Sequence, residues 1–264
     1  MDGTMPDPML VILQEQGYKK TGKLGPRVSQ NLFKAENIVI ESNTSGKLDK
    51  EIWQQWNKEV LAPKIRSKAF LLVDSLSTYG DLSFLEESGI EVVIMKDITK
   101  DVEKHRKIMK DKFKQGLKKK CDKLLEVFVI PPGGTKYVQP FDTSIFRTWK
   151  NMERKINDRL LMEDPDIDID DRNNILKRMA LIHRQLNSPR FKNMLLYSWY
   201  SSQYLDMRPG PFINPAVYCF HNTIESCNSQ GCNETSFFRC GWCQSYLCSN
   251  HLFTNFHNCK NYRE

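Results

Sequence analysis

The chain has 264 residues, a formal net charge of +7, eight cysteines and a hydrophobic content of 40%. That length accommodates one sizeable core plus a small satellite domain, and no apolar run reaches the roughly 18 residues of a membrane span. The start Met1-Asp2-Gly3-Thr4-Met5-Pro6 lacks the basic and apolar stretches of a signal peptide, so a reducing compartment is expected, and the positive balance favours a polyanionic partner, nucleic acid first.

Residues 9–13 and 37–40 are short β-branched runs and predict a pair of strands. Leu48, Ile52, Trp53, Trp56 and Val60 recur at helical spacing between Gly46 and Pro63, which predicts an amphipathic helix with an aromatic buried face. Ala69 to Val73 reads as a strand covered on both faces and ends on Asp74. A short helix around Leu82 to Glu87 and a strand from Ile90 to Met95 follow. From about Thr99 to Lys123 the chain is strongly basic, densest at Lys118-Lys119-Lys120, and is expected to be a helical insertion before a strand at Val127 to Ile130.

Asp142 closes the segment Ile130-Pro131-Pro132-Gly133-Gly134-Thr135-Lys136-Tyr137-Val138-Gln139-Pro140-Phe141-Asp142. Three helical stripes come next: Ile145, Phe146, Trp149, Met152 and Ile156; then Ile175 to Leu186; then Phe191 to Tyr204. An acidic tract, Glu163 to Asp171, separates the first two. It reads as a solvated approach to a helix, since it lacks the glycine and terminal Glu of a calcium loop. Arg208-Pro209-Gly210-Pro211 breaks regular structure and is a plausible linker. Trp53, Trp56, Trp149 and Trp199 lie on apolar stripes and are expected in the core. His105 and His183 show no partner in the sequence.

Six of the eight cysteines fall between Cys227 and Cys259, interleaved with His251 and His257. In a reducing compartment such a cluster points to metal rather than disulfides. The candidate ligands are Cys227-x4-Cys232, Cys240-x2-Cys243, Cys248-x2-His251 and His257-x-Cys259, enough for two tetrahedral zinc sites. Alternating pairs give a cross-brace, with Cys227, Cys232, Cys248 and His251 on one ion and Cys240, Cys243, His257 and Cys259 on the other. The alternative is a single ribbon of Cys240, Cys243, Cys248 and His251. In either scheme no position is left for water, so the zinc is structural.

Asp74 and Asp142 each follow an expected strand, a placement suited to holding magnesium or manganese for two-metal phosphodiester chemistry. Each also has a plainer reading: Asp142 as a helix N-cap and Asp74 as a turn residue. The lysine-rich insertion could contact phosphates or simply be a solvated helix.

The Leu71-Leu72-Val73-Asp74 tract, the Pro131-Pro132-Gly133-Gly134-Thr135 turn and the Gln139-Pro140-Phe141-Asp142 ending resemble the DDE-type transposases of the pogo, Tigger and jerky group. Asp2-Gly3-Thr4 with Pro6, and Ser45-Gly46-Lys47-Leu48-Asp49 with Trp56, resemble further segments of that family. The resemblance covers roughly residues 1–155 and implies Asp74 and Asp142 as the second and third catalytic carboxylates. The family's first catalytic Asp lies upstream of the Asp-Gly-Thr segment, so the core is expected to lack its first strand and to be catalytically impaired. Tyr79 stands where the family usually has a His. The cysteine-rich tail resembles that of piggyBac-type transposases.

These readings give an α/β fold: an incomplete RNase H-like core at 1–160, a helical extension at 161–206 and a zinc-binding module at 217–264. The expected function is DNA binding by a transposase-derived protein in the nucleus, with structural zinc, and magnesium or manganese if cleavage occurs. The alternative is a zinc-dependent protein-interaction module, a chromatin reader or ubiquitin-ligase-like, on a decayed transposase scaffold.

Overall fold

Met9–Gln14 (β1) and Ile38–Asn43 (β2) pair in parallel, from Met9 opposite Ile38 to Gln14 opposite Asn43. A parallel pair requires a crossover rather than a hairpin, and the connection carries the helix α1 (Pro26–Asn31), which buries no side chain. The computed structural model in which these elements are seen describes residues 3–16, 22–73, 82–95, 123–130, 139–220 and 225–264, with residues 104, 107, 108 and 111 between them.

The expected amphipathic helix is α2 (Lys50–Trp56), capped by Asp49, whose carboxylate accepts the Ile52 N–H at 2.9 Å. It continues through a π-helical turn at Asn57–Leu61 and a 3-10 turn at Ala62–Lys64. Trp53 and Trp56 stack on one another at 5.9 Å on its buried side.

Lys68–Val73 (β3), Glu91–Met95 (β4) and Leu124–Val129 (β5) form an all-parallel sheet with β5 in the middle. Strand alternation divides its faces. Val73, Leu125 and Val127, with Ala69, Leu71 and Val129 partly buried beside them, meet Trp53, Ala62 and Ile65 from the α2 segment, Leu85 from the 3-10 turn at Ser83–Ser88 and Leu82, which caps that turn. The opposite face sends Phe70, Leu72, Phe128 and Ile130 against Trp199 and Tyr204. On that same face Glu126 is buried and bridges to Lys68 Nζ at 2.9 Å. A buried carboxylate on a central strand needs such a partner.

The three helical stripes become α3 (Phe146–Glu163), α4 (Arg172–Leu186) and α5 (Lys192–Ser201). The acidic tract ends in a cap: Asp171 accepts the N–H groups of Asn173 and Asn174 and opens α4. This helix is buried on two sides. Leu176 and Ala180 pack beneath β1 and β2, while Leu181, Ile182 and Leu186 enter the largest core. That core joins Met152, Ile156 and Leu160 of α3 and Met194 and Leu195 of α5 to Ala216, Phe238, Leu247 and Leu252 of the C-terminal region. It therefore runs across the break drawn in the sequence between 206 and 217.

The C-terminal region adds a one-turn helix α6 (Pro215–Tyr218) and a small antiparallel hairpin, β6 (Phe238–Arg239) with β7 (Tyr246–Leu247). No helix among the described residues is long and apolar enough to cross a membrane.

Candidate metal centre

Two-residue strands cannot hold a hairpin by themselves, and the β6–β7 hairpin is flanked at both ends by cysteines. Cys240 follows β6 directly, and its N–H donates to Ser245 O while Gln244 N–H donates back to Cys240 O, which closes the Cys240–Cys243 knuckle. Gln244 takes a left-handed conformation, φ 66°, to make this turn. Cys248 follows β7 directly and leads into a π-helical turn, Asn250–Thr254, that carries His251. Upstream, Cys227 N–H donates to Glu234 O and Cys232 N–H to Ser229 O, forming a second knuckle across Gly231, φ 75°. His257 is set by its N–H to Leu252 O.

This arrangement gathers the eight ligand candidates into two groups. Cys227, Cys232, Cys248 and His251 form the first; Cys240, Cys243, His257 and Cys259 form the second, and within each group the ligand atoms lie within 4.8 Å of one another. The grouping is interleaved along the chain. Cys240 and Cys243 stand in a different group from Cys248 and His251, which is the cross-braced arrangement and not the single ribbon.

The spacings fit a tetrahedral ion. At bonds of about 2.3 Å to sulfur and about 2.0 Å to nitrogen, the edges of a zinc tetrahedron are about 3.8 Å between sulfurs and about 3.5 Å between sulfur and nitrogen. In the first group Cys227 Sγ and Cys248 Sγ lie 3.5 and 3.2 Å from His251 Nδ1, and Cys232 Sγ lies 4.0 Å from Cys248 Sγ. In the second, Cys243 Sγ lies 3.5 Å from His257 Nε2. Three thiolates and one imidazole per group suit zinc, and four protein ligands leave no open position for chemistry.

The thiols are prepared for deprotonation unequally. Contact with the Cys240 thiol holds Cys243 well below the usual thiol range, with His257 and Ser245 adding to the effect; the same contact and burial push Cys240 up. Burial opposes the Cys227 thiolate, but the backbone N–H groups of Cys248 and Ser229 outweigh it and bring that thiol down to about 6. Cys219 is different. It is fully buried in the core, far above the usual range because of that burial, and belongs to neither group. Metal binding would release protons from the thiols in both groups.

Further residues outside the two ligand sets brace the second group. Gln185 on α4 donates from Nε2 to Cys240 Sγ at 3.5 Å and accepts the Gly241 N–H at 2.7 Å. Trp242 donates its indole N–H to Arg184 O at 2.7 Å, and Ser188 Oγ donates to Gly241 O at 2.7 Å. Nothing in the sequence near the cysteines points to these helix residues. The first group is braced elsewhere, through Ser249 Oγ donating to Glu163 at the end of α3.

Residues 199–259 match the family model of the Tc5 transposase C-terminal domain. This segment is similar to that transposase domain. It contains all eight ligand candidates, from Cys227 to Cys259, whereas Gln185, Arg184 and Glu163 lie outside it. Compared with curated proteins and with solved structures, the chain has no match.

Of the other sequence-derived site residues only Asp142 is described, and it belongs to neither group. Asp74, Lys118, Lys119 and Lys120 fall outside the described residues. Asp142 is exposed in the π-helical turn Phe141–Ile145 that runs into α3, with its N–H donating to Gln139 O at 3.1 Å. Pro140 occupies the cap position, so Asp142 sits in the first turn rather than capping it. Among the described residues Asp142 joins no group of three or more metal-ligand side chains.

Proposed function

We propose that the chain is a transposase-derived, DNA-binding nuclear protein with a C-terminal module held by two structural zinc ions. The observation that carries this reading is the match of residues 199–259 to the Tc5 transposase C-terminal domain over both Cys3His groups. The formal charge of +7 favours a nucleic-acid partner.

For the N-terminal part we propose an RNase H-like core of the DDE type over residues 1–160, a helical extension at 161–206 and the zinc module at 217–264. Supporting this is the end-to-end alignment of β3 and β5, with Val73 opposite Val129 and Ile130 N–H donating to Val73 O at 2.7 Å. Asp74 is the residue after β3, and the Pro-Pro-Gly-Gly-Thr segment begins two residues after β5. In parallel sheets ligands collect beyond the carboxyl ends of the strands. In this reading Asp74 and Asp142 hold magnesium or manganese, and the lysines at 118–120 contact phosphates.

Fluorescence anisotropy with duplex DNA across a salt series tests the binding. Affinity that falls steeply with salt is expected; absence of binding at low salt would exclude the DNA reading and leave a protein-interaction module. Nicking of supercoiled plasmid with magnesium or manganese tests catalysis. Cleavage lost in both Asp74→Ala and Asp142→Ala would assign them as ligands, and no cleavage by the wild type would confine the function to binding.

A further inference from the structure

The spacer residues inside the two metal groups reach different parts of the molecule. Asn258 lies between the ligands His257 and Cys259, and its Oδ1 accepts from Arg184 Nε at 2.8 Å while its Nδ2 donates to Asn37 Oδ1 at 3.3 Å. Asn37 is fully buried at the start of β2 and donates to Ala180 O at 2.8 Å. Arg184 is only 2% exposed and spends its other two nitrogens on the N-terminal region: Nη2 to Glu36 Oε1 at 2.8 Å and Nη1 to Asp7 Oδ2 at 3.6 Å. Lys260, next to Cys259, reaches the same Glu36 oxygen at 2.9 Å. Among the described residues the first group shows no such path. Its spacer Ser249 meets Glu163 on α3.

We propose that Asn258, Arg184 and Gln185 are positioning residues for the second metal site, and that metal bound there orders the N-terminal β1–β2 sheet against α4. The inference rests on the two-zinc reading above. A metal held by His257 and Cys259 fixes the backbone on both sides of Asn258 and so fixes its carboxamide. The carboxamide is the acceptor for a buried guanidinium, which cannot leave a donor unmet without loss. Arg184 thereby holds Glu36 and Asp7, and with them the first residues of the β1–β2 unit. Gln185, the next residue on α4, works from the other side: it orients Cys240 through its N–H···S contact and carries the knuckle through Gly241. Outer partners of this kind tune metal affinity without touching the ion.

The test uses the full chain loaded with zinc, with amide hydrogen exchange over β1–β2, metal stoichiometry and the rate of zinc release to a chelator as readouts. Two ions per wild-type chain are expected, and failure to bind zinc at all would overturn the zinc reading itself, separately from the coupling. Asn258→Ala keeps every ligand; it is expected to release one of its two ions roughly tenfold faster and to lose β1–β2 protection. Asn258→Asp, which keeps an oxygen for Arg184 but sets its other oxygen against Asn37 Oδ1, should restore both in part. Cys232→Ser in the first group should lose one ion and leave β1–β2 protection unchanged. Unaltered β1–β2 exchange in Asn258→Ala, or an equal loss in Cys232→Ser, would overturn the proposal.

Discussion

Gly241 lies against the ring of Phe191 so closely that a β-carbon on it would fall 2.6 Å from Phe191 Cε2. Phe191 is fully buried, in the 3-10 turn between α4 and α5, and cannot retreat. The Cys240–Cys243 knuckle is thus docked on the helices by a contact that only glycine permits. Gly241→Ala is expected to cost about 1–3 kcal/mol, the usual range for overpacking. Denaturant unfolding of the zinc-loaded protein measures it. Because the same shift pulls Cys240 from Gln185, chelator competition should show the second site weakened and the first unchanged.

The interleaved ligand sets predict a stepwise loss of metal. Cys227→Ser and Cys243→Ser are each expected to reduce bound zinc from two ions to one, and the double variant to none. Cys219→Ala is the contrast: that thiol is buried and outside both groups, so two ions should remain. Elemental analysis of the purified variants decides this. Two ions retained in either single ligand variant would contradict the grouping. Removing both ions from the wild type should release the β6–β7 hairpin first, since each end of it borders a different group.

Much of this architecture is legible in the sequence because its signals are local. The apolar run ending at Val73 and the stripes on α3 and α4 have the period of the elements they form. Cysteine pairs with two or four residues between them mark the knuckles in the same way. What escapes the sequence is carried by polar side chains meeting over long separations. His183 shows no partner along the chain, yet it lies between Pro6 and Asn37; Arg184 collects Asp7, Glu36 and Asn258. The helix α1 escapes for a different reason: it buries nothing, so no apolar periodicity is imposed on it.

The Lys68–Glu126 pair makes a separable prediction for the three-stranded sheet. Glu126 lies on the central strand with its side chain 8% exposed, and among the described residues its second carboxylate oxygen has no hydrogen-bond partner. Removing only the lysine charge, as in Lys68→Met, leaves a carboxylate buried beside Phe70 and Phe128 and is expected to cost about 3–5 kcal/mol. The double variant Lys68→Met/Glu126→Leu should recover most of that loss. Urea denaturation of the single and double variants gives the coupling.

His183 predicts a loss of stability on acidification. Burial lowers its pKa below the ordinary value, outweighing the Pro6 carbonyl and Asp7, which favour the charged form. Nε2 lies 2.8 Å from Pro6 O, which can only accept, and 3.1 Å from Asn187 Nδ2, while Nδ1 lies 3.2 Å from Asn37 Nδ2. The Pro6 carbonyl calls for a proton on Nε2 and leaves Nδ1 to accept from Asn37. The Nδ1 contact requires the neutral ring, because a proton there would face the Asn37 amide. Between the lowered folded pKa and the unfolded value of about 6.5, the unfolded chain binds more protons. Stability therefore rises with pH through that window, is level with respect to this group above it, and is lost as pH falls through it. Thiolate protonation at the metal groups acts in the same direction, so the difference between wild type and His183→Gln isolates the histidine. Thermal unfolding from pH 7.5 down to pH 5 should show a steeper decline in the wild type, and parallel curves would exclude His183 as the titrating group.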